Sequence, residues 1–155
     1  MVTELRWHPW RHARDDHAHV TINCQHRLYA GRMGDTRGNT VCISASLSQA
    51  ERRCTLTHEL VHIERRGREH PNHDKEERIV ELEAARRLIN LQQLVDAFVW
   101  LRHPTPGELA EELWVDGTTL LCRMENLEPI EVVEIEYATQ GEWSCSRDRP
   151  RAPDP

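Results

Sequence analysis

Nowhere in this 155-residue sequence does an apolar run approach the roughly 18 residues that a membrane helix needs, so no membrane-spanning role is expected. The first residues also lack the apolar stretch of a signal peptide. CxxC pairs are missing too. The five cysteines stand scattered at 24, 42, 54, 122 and 145, an odd number, which argues against a disulfide framework and against a cysteine zinc site. Reduced thiols and a cytoplasmic location are the expectation. There is no excess of positive charge: the net charge of −6 gives no overall field that would gather nucleic acid. No internal repeat is visible. What remains, with 38% apolar and 30% charged residues and a mean hydropathy of −0.71, is a small and strongly solvated chain of one domain plus a modest appendage.

The most informative stretch is residues 55–66, which contains His58-Glu59-Leu60-Val61-His62, an HEXXH pattern. On a helix, positions four apart lie one turn apart on one face, so the two imidazoles can converge on one metal ion. Neutral imidazole suits zinc, and a catalytic site needs three protein ligands with a position left open for water. Glu59, about 100° further round, is placed to act on that water as general base. Ten histidines in the chain make a chance match conceivable, so the context must decide. Ser48 and Glu51 form a capping box just upstream. On the helix that follows, Leu56, Leu60 and Ile63 make one apolar stripe, with His58 and His62 roughly opposite. A core face on one side and paired histidines on the other is what a metal cleft requires.

Before this helix, residues 1–20 are rich in His, Arg and Trp. A second metal site is conceivable there, but the spacings match no known ligand set and polar surface is the simpler reading. Short strands are predicted at residues 19–23 and 41–44, with turns marked by Gly31, Gly34, Asp35 and Gly38-Asn39. The expected fold is therefore α+β, a small antiparallel sheet leading into the HEXXH helix. An edge strand of that sheet could hold an extended peptide by strand addition.

After a polar loop broken at Gly67 and Pro71, helical periodicity runs from Lys75 to about Leu101, capped by Asn72 or Asp74. Glu77 and Glu81 fall on the same face as Val80, Ala84, Leu88 and Leu91, whereas Glu76 and Glu83 fall outside it. A carboxylate aligned with a buried stripe needs a partner, and a metal supplies one. Glu77 is thus the preferred third ligand, with Glu81 as the outer group orienting a histidine. His70 and His73 are rivals. The longer HExxHxxGxxH pattern fails, because Arg65 and Arg68 stand where Gly and His are required. Cys54, one turn before His58, reads as a small buried residue beside the site rather than a ligand.

These residues resemble the ImmA/IrrE-type HEXXH metallopeptidases, small cytoplasmic proteins of bacteria, phages and mobile elements, and most of all their actinobacterial and actinophage branch. The likeness is carried by residues 49–64, which end in His58-Glu-Leu-Val-His-Ile-Glu64, and by residues 77–89. It spans roughly residues 20–128. Val80 and Glu81 depart from the alanine and the Asn or Asp usual there. The resemblance implies a gluzincin-like site of His58, His62 and Glu77, with Glu59 as base. It also implies Zn2+ as cofactor (Mn2+ is a second candidate, since such ligands discriminate weakly), and a protein substrate, a DNA-binding transcriptional repressor.

A break at residues 103–107 is followed by a helix-turn-helix pattern: Leu109, Ala110, Leu113 and Val115, a turn, then Leu120, Leu121 and Met124. This raises a rival function, a non-catalytic regulatory module that binds a repressor or DNA. The second helix of this pattern, which would read bases, offers one arginine, Arg123, among glutamates, so direct nucleic-acid binding is not expected. Residues 130–137 alternate partly like a strand, and residues 138–155 read as a disordered tail. The organisation expected is thus a zincin-like domain over 1–102, a helix-turn-helix-like segment and terminal strand over 103–137, and the tail.

Overall fold

A computed structural model describes residues 6–145. The chain divides into two compact units, Met1–Leu88 and Ile89–Pro155. Among the described residues the architecture is α+β, with one three-stranded sheet and seven helices.

In the first unit, helix α1 (Pro9–Asp16) starts where Pro9 pre-sets the first helical φ and the His8 side chain accepts from the Arg11 amide. The His- and Arg-rich stretch is thus a short helix rather than featureless surface. Strands β1 (Thr21–Asn23), β2 (Gly34–Arg37) and β3 (Thr40–Ile43) form a sheet in the order β1-β3-β2. The sheet is mixed, not antiparallel: β1 runs parallel to β3, and β2 pairs with β3 antiparallel through Gly34↔Ile43 to Arg37↔Thr40. The tight reversal at Gly38, whose φ is +57°, makes β2 and β3 a hairpin, while the longer excursion from β1 to β2 brings the chain back on the other side of β3.

Helix α2 (Gln49–Glu64) begins at the expected capping box. Ser48 Oγ accepts from the Glu51 amide at 3.2 Å, and Glu51 Oε2 accepts from the Ser48 amide at 2.7 Å. Leu56, Leu60 and Ile63 do form a buried stripe, packed with Val41 and Ile43 of β3 and Ala13 of α1. A second face of α2 is covered as well: Val61 packs with Val80 and Ala84 of helix α3 (His73–Leu88). Two opposed packing surfaces fix the rotation of α2 about its own axis. Asn72 caps α3, its Oδ1 accepting from the Lys75 amide at 2.9 Å.

The helical periodicity past Leu88 conceals a break. Helix α4 (Leu91–Leu101) starts anew, because Asn90 and Gln93 form a capping box that ends one helix and opens the next. A strong cap outweighs a periodicity that two consecutive helices can share. In the second unit α4 is followed by α5 (Pro106–Leu113), α6 (Gly117–Glu125) and α7 (Pro129–Thr139). The helix-turn-helix pattern corresponds to α5 and α6, with Trp114 in the left-handed region at the turn. Residues 130–137 are helical, not a strand. Pro129 stands at the first helical position, Glu128 and Glu131 form a capping box, and Ile135 and Thr139, one turn apart, are the buried pair. Partial alternation over eight residues fits both periods, and the helix-start signals decide. Nor does order end at Ala138: Trp143 lies edge-on to Phe98 at 4.9 Å, and Glu142 pairs with Arg102 at 2.8 Å. Residues 146–155 of the expected tail lie outside the described residues.

Arg123 on α6 is buried. It donates to the Ile89 carbonyl at 2.9 Å and to both carboxylate oxygens of Glu131. The single arginine of α6 is therefore a core residue of its own unit, held in an ion pair. Among the described residues, no helix is long and apolar enough to cross a membrane.

Candidate metal centre

With α2 packed on both sides, His58 and His62 are left on the face between them, half-buried. Their Nε2 atoms are 3.1 Å apart and their rings meet edge to face. From α3, Glu77 reaches across: Oε2 lies 3.4 Å from His58 Nε2, and Oε1 lies 3.2 Å from His62 Nε2. One ligating atom from each of the three residues falls within 4.8 Å of the others. Two donors each about 2.1 Å from a zinc ion, at a tetrahedral angle, lie about 3.4 Å apart, so the observed spacings fit a single small cation. Burial first, and the neighbouring His62 second, push the His58 pKa down and favour the neutral imidazole that ligates. The donor set of two imidazoles and a carboxylate matches zinc chemistry and leaves room for a water.

Glu59 points to the other side of this cluster, toward β2. The Thr36 hydroxyl donates to Glu59 Oε2, fixing the carboxylate beside the two histidines. Gly34 makes this approach possible. A Cβ there would stand 2.6 Å from Thr55 Cγ2 and 2.8 Å from Glu59 Oε1, both shorter than real contacts allow. The glycine, read from sequence as a turn marker, is a strand residue whose missing side chain admits the Glu59 carboxylate. Gly34→Ala is expected to lower catalytic efficiency by about a hundredfold, because displacements near 1 Å at a reacting group cost that much. It is also expected to destabilise the chain by about 1–3 kcal/mol through overpacking. Steady-state kinetics beside urea unfolding separates the two effects.

The other candidates lie elsewhere. Glu81 is exposed, and its charge favours protonation of His58 from a distance. His73 is exposed, with Nδ1 3.9 Å from Glu77 Oε1. His70 organises the loop instead: its amide donates to Glu76, and its Nδ1 accepts from the Asn72 amide at 2.9 Å. Cys54 is buried and outside the donor cluster. Glu76, expected outside the buried stripe, is in fact buried at 5% exposure. Arg65, at the C-cap of α2, donates to both its oxygens at 2.6 and 2.9 Å and, together with the His70 amide, holds its pKa at about 2. A helical wheel places the residue near the stripe's edge; a guanidinium arriving from another helix makes burial affordable there.

The family model for peptidase M78, described as the IrrE N-terminal-like domain, matches residues 15–112, well over half of the chain. The chain belongs to this family. No curated protein and no solved structure matches it. Membership in a metallopeptidase family implies a metal ion, and the His58, His62 and Glu77 donors provide a place that fits one. Within this M78 domain, sequence reasoning missed β2 and therefore Gly34 and Thr36. A Gly-Asp pair resembles a turn, and only strand pairing with β3 reveals otherwise.

Proposed function

We propose that this chain is a zinc-dependent endopeptidase of the ImmA/IrrE type with a gluzincin-like site. It acts in the cytoplasm on a DNA-binding transcriptional repressor, or a similar regulatory protein of a phage, mobile element or stress response. The observation that carries the reading is the convergence of His58, His62 and Glu77 on one point, with the Glu59 carboxylate held alongside by Thr36. Zinc bound by these three residues would supply Lewis-acid polarisation of the scissile carbonyl and a lowered pKa for water. Glu59 removes a proton from the attacking water and delivers it to the leaving amine. Thr36 occupies one carboxylate oxygen, so the other is left for the proton. Glu81 adds negative charge behind the histidines. Since β2 is an edge strand adjoining Glu59, an extended substrate segment can pair with it as a further strand, which selects for unfolded or loop peptide. The rival reading, a module that grips DNA through α5 and α6, loses support because Arg123 is buried in its ion pair with Glu131.

The direct test is elemental analysis of wild-type, Glu77→Ala and His70→Ala proteins, followed by incubation with repressor proteins encoded near the gene. The expected result is about one zinc per chain more in wild type and His70→Ala than in Glu77→Ala, together with a discrete cleavage product. Equal zinc content in wild type and Glu77→Ala would remove Glu77 from the ligand set, and absence of any cleavage would favour a binding module.

A further inference from the structure

A second group of metal-type donors lies at the far end of α2. His12 and His17, from α1 and its C-cap, both direct Nε2 at Glu64 Oε1, at 2.6 and 3.0 Å, across sequence separations of 52 and 47 residues. One donor atom from each of the three lies within 4.8 Å of the others. Two outer atoms of the group are already engaged. Asp16 Oδ2 stands 2.8 Å from His12 Nδ1, and Arg87 donates to Glu64 Oε2 at 2.6 Å.

The proton inventory of His12 is the informative point. A neutral imidazole carries one N–H. If Nδ1 donates to Asp16, Nε2 presents a lone pair to a carboxylate oxygen 2.6 Å away, and two acceptors face each other. A cation bound by both resolves the conflict once the two atoms part from 2.6 Å toward the roughly 3.4 Å kept by two donors of one zinc ion. A histidine whose outer nitrogen donates to a carboxylate, and a ligating carboxylate whose second oxygen is hydrogen-bonded, are the usual surroundings of metal ligands.

We propose that His12, His17 and Glu64 form a second site for a divalent transition ion such as zinc, oriented by Asp16 and Arg87, which pins α1 to the end of α2. Its two histidines and one carboxylate repeat the donor chemistry of the first centre, but its second carboxylate oxygen is braced by an arginine. The site is a structural staple rather than a catalytic one. The alternative is a purely protonic cluster, with His12 as an imidazolium between Asp16 and Glu64.

The two are separated by titrating zinc into full-length Glu77→Ala, where the first centre is disabled, and into Glu77→Ala/His17→Asn, with thermal unfolding recorded alongside. Expected is about one equivalent of zinc in Glu77→Ala with a raised melting temperature, both lost in the double variant, and cobalt giving d–d bands of a nitrogen–oxygen site. If Glu77→Ala takes up no zinc, or if His17→Asn leaves its affinity unchanged, the cluster is protonic and the proposal is overturned. Should the double variant lose its helical circular dichroism, Glu77→Ala/Asp16→Asn decides instead. Zinc binding weakened about tenfold supports the site, as outer-group substitutions do elsewhere, and unchanged binding overturns it.

Discussion

Glu59→Gln is expected to reduce peptide turnover by about a thousandfold while zinc content stays at the wild-type level. A positioned general base contributes roughly 10²–10⁴-fold. The substitution keeps the shape of the side chain and an oxygen for the Thr36 hydroxyl to donate to, but an amide cannot take a proton from water at neutral pH. Because Glu59 lies on the β2 side and not among the three donors, the metal should be unaffected. The loss should fall on kcat and leave KM nearly unchanged, the pattern of an interaction made in the transition state. Cleavage of a mixed peptide library, read by mass spectrometry, makes the measurement possible before the natural substrate is known. Turnover remaining above a tenth of wild type would move the base elsewhere. Persistence of full biological activity would point to a role that needs no cleavage.

The largest effect on stability is expected at Arg53. Its side chain is wholly buried in α2, where it donates from Nε and a terminal nitrogen to the Trp7 carbonyl at 3.2 and 3.1 Å and to the Leu88 carbonyl at 3.3 Å. One guanidinium thus ties the HEXXH helix to the residue two before α1 and to the last residue of α3. Trp7 is held a second time, its indole N–H donating to Thr57 Oγ1 at 3.0 Å. Arg53→Met fills similar volume but leaves these carbonyls without that donor. Hydrogen bonds to a charged donor are worth about 1.5–3 kcal/mol each, and a buried acceptor left unmade costs about 1–3 kcal/mol. Against this stands the relief of burying a charge, which burial already disfavours by lowering the Arg53 pKa. The net expectation is a loss of about 3 kcal/mol in urea unfolding. Arg53→Lys should recover little, because an ammonium cannot span carbonyls that the planar fork reaches together. Wild type and variants must be compared at equal metal content, since any bound metal stabilises by mass action. A change under 1 kcal/mol would show that the guanidinium is incidental to the fold.

Much of the local structure could be read from the sequence because it rests on short-range chemistry. The Ser48–Glu51 capping box, the Leu56, Leu60 and Ile63 stripe and the one-turn spacing of His58 and His62 need only neighbouring residues and helical geometry. The same reasoning failed where two short-range signals competed. Residues 130–137 satisfied a period of two and a period of 3.6 about equally, and Pro129 with its capping box tipped them to helix. Gly34-Asp35 carried the marks of a turn, and pairing with residues 42 and 43 made them a strand.

The pairing of distant charges had no local signature. Glu76 is buried because Arg65 arrives from the preceding helix, and Arg123 is unavailable because Glu131 arrives from the following one. His12 and His17 had no recognisable ligand spacing, since their third partner is Glu64, about fifty residues away. The sequence by itself determined the α2 helix and the one-turn spacing of its two histidines, with Glu59 next to the first, because helical periodicity fixes neighbours at four residues. Only the tertiary structure decided which glutamate faces those histidines, what holds Glu59 in place and where the remaining histidines converge. Those depend on how separate elements rotate against one another, and that rotation is set by packing on both faces of α2.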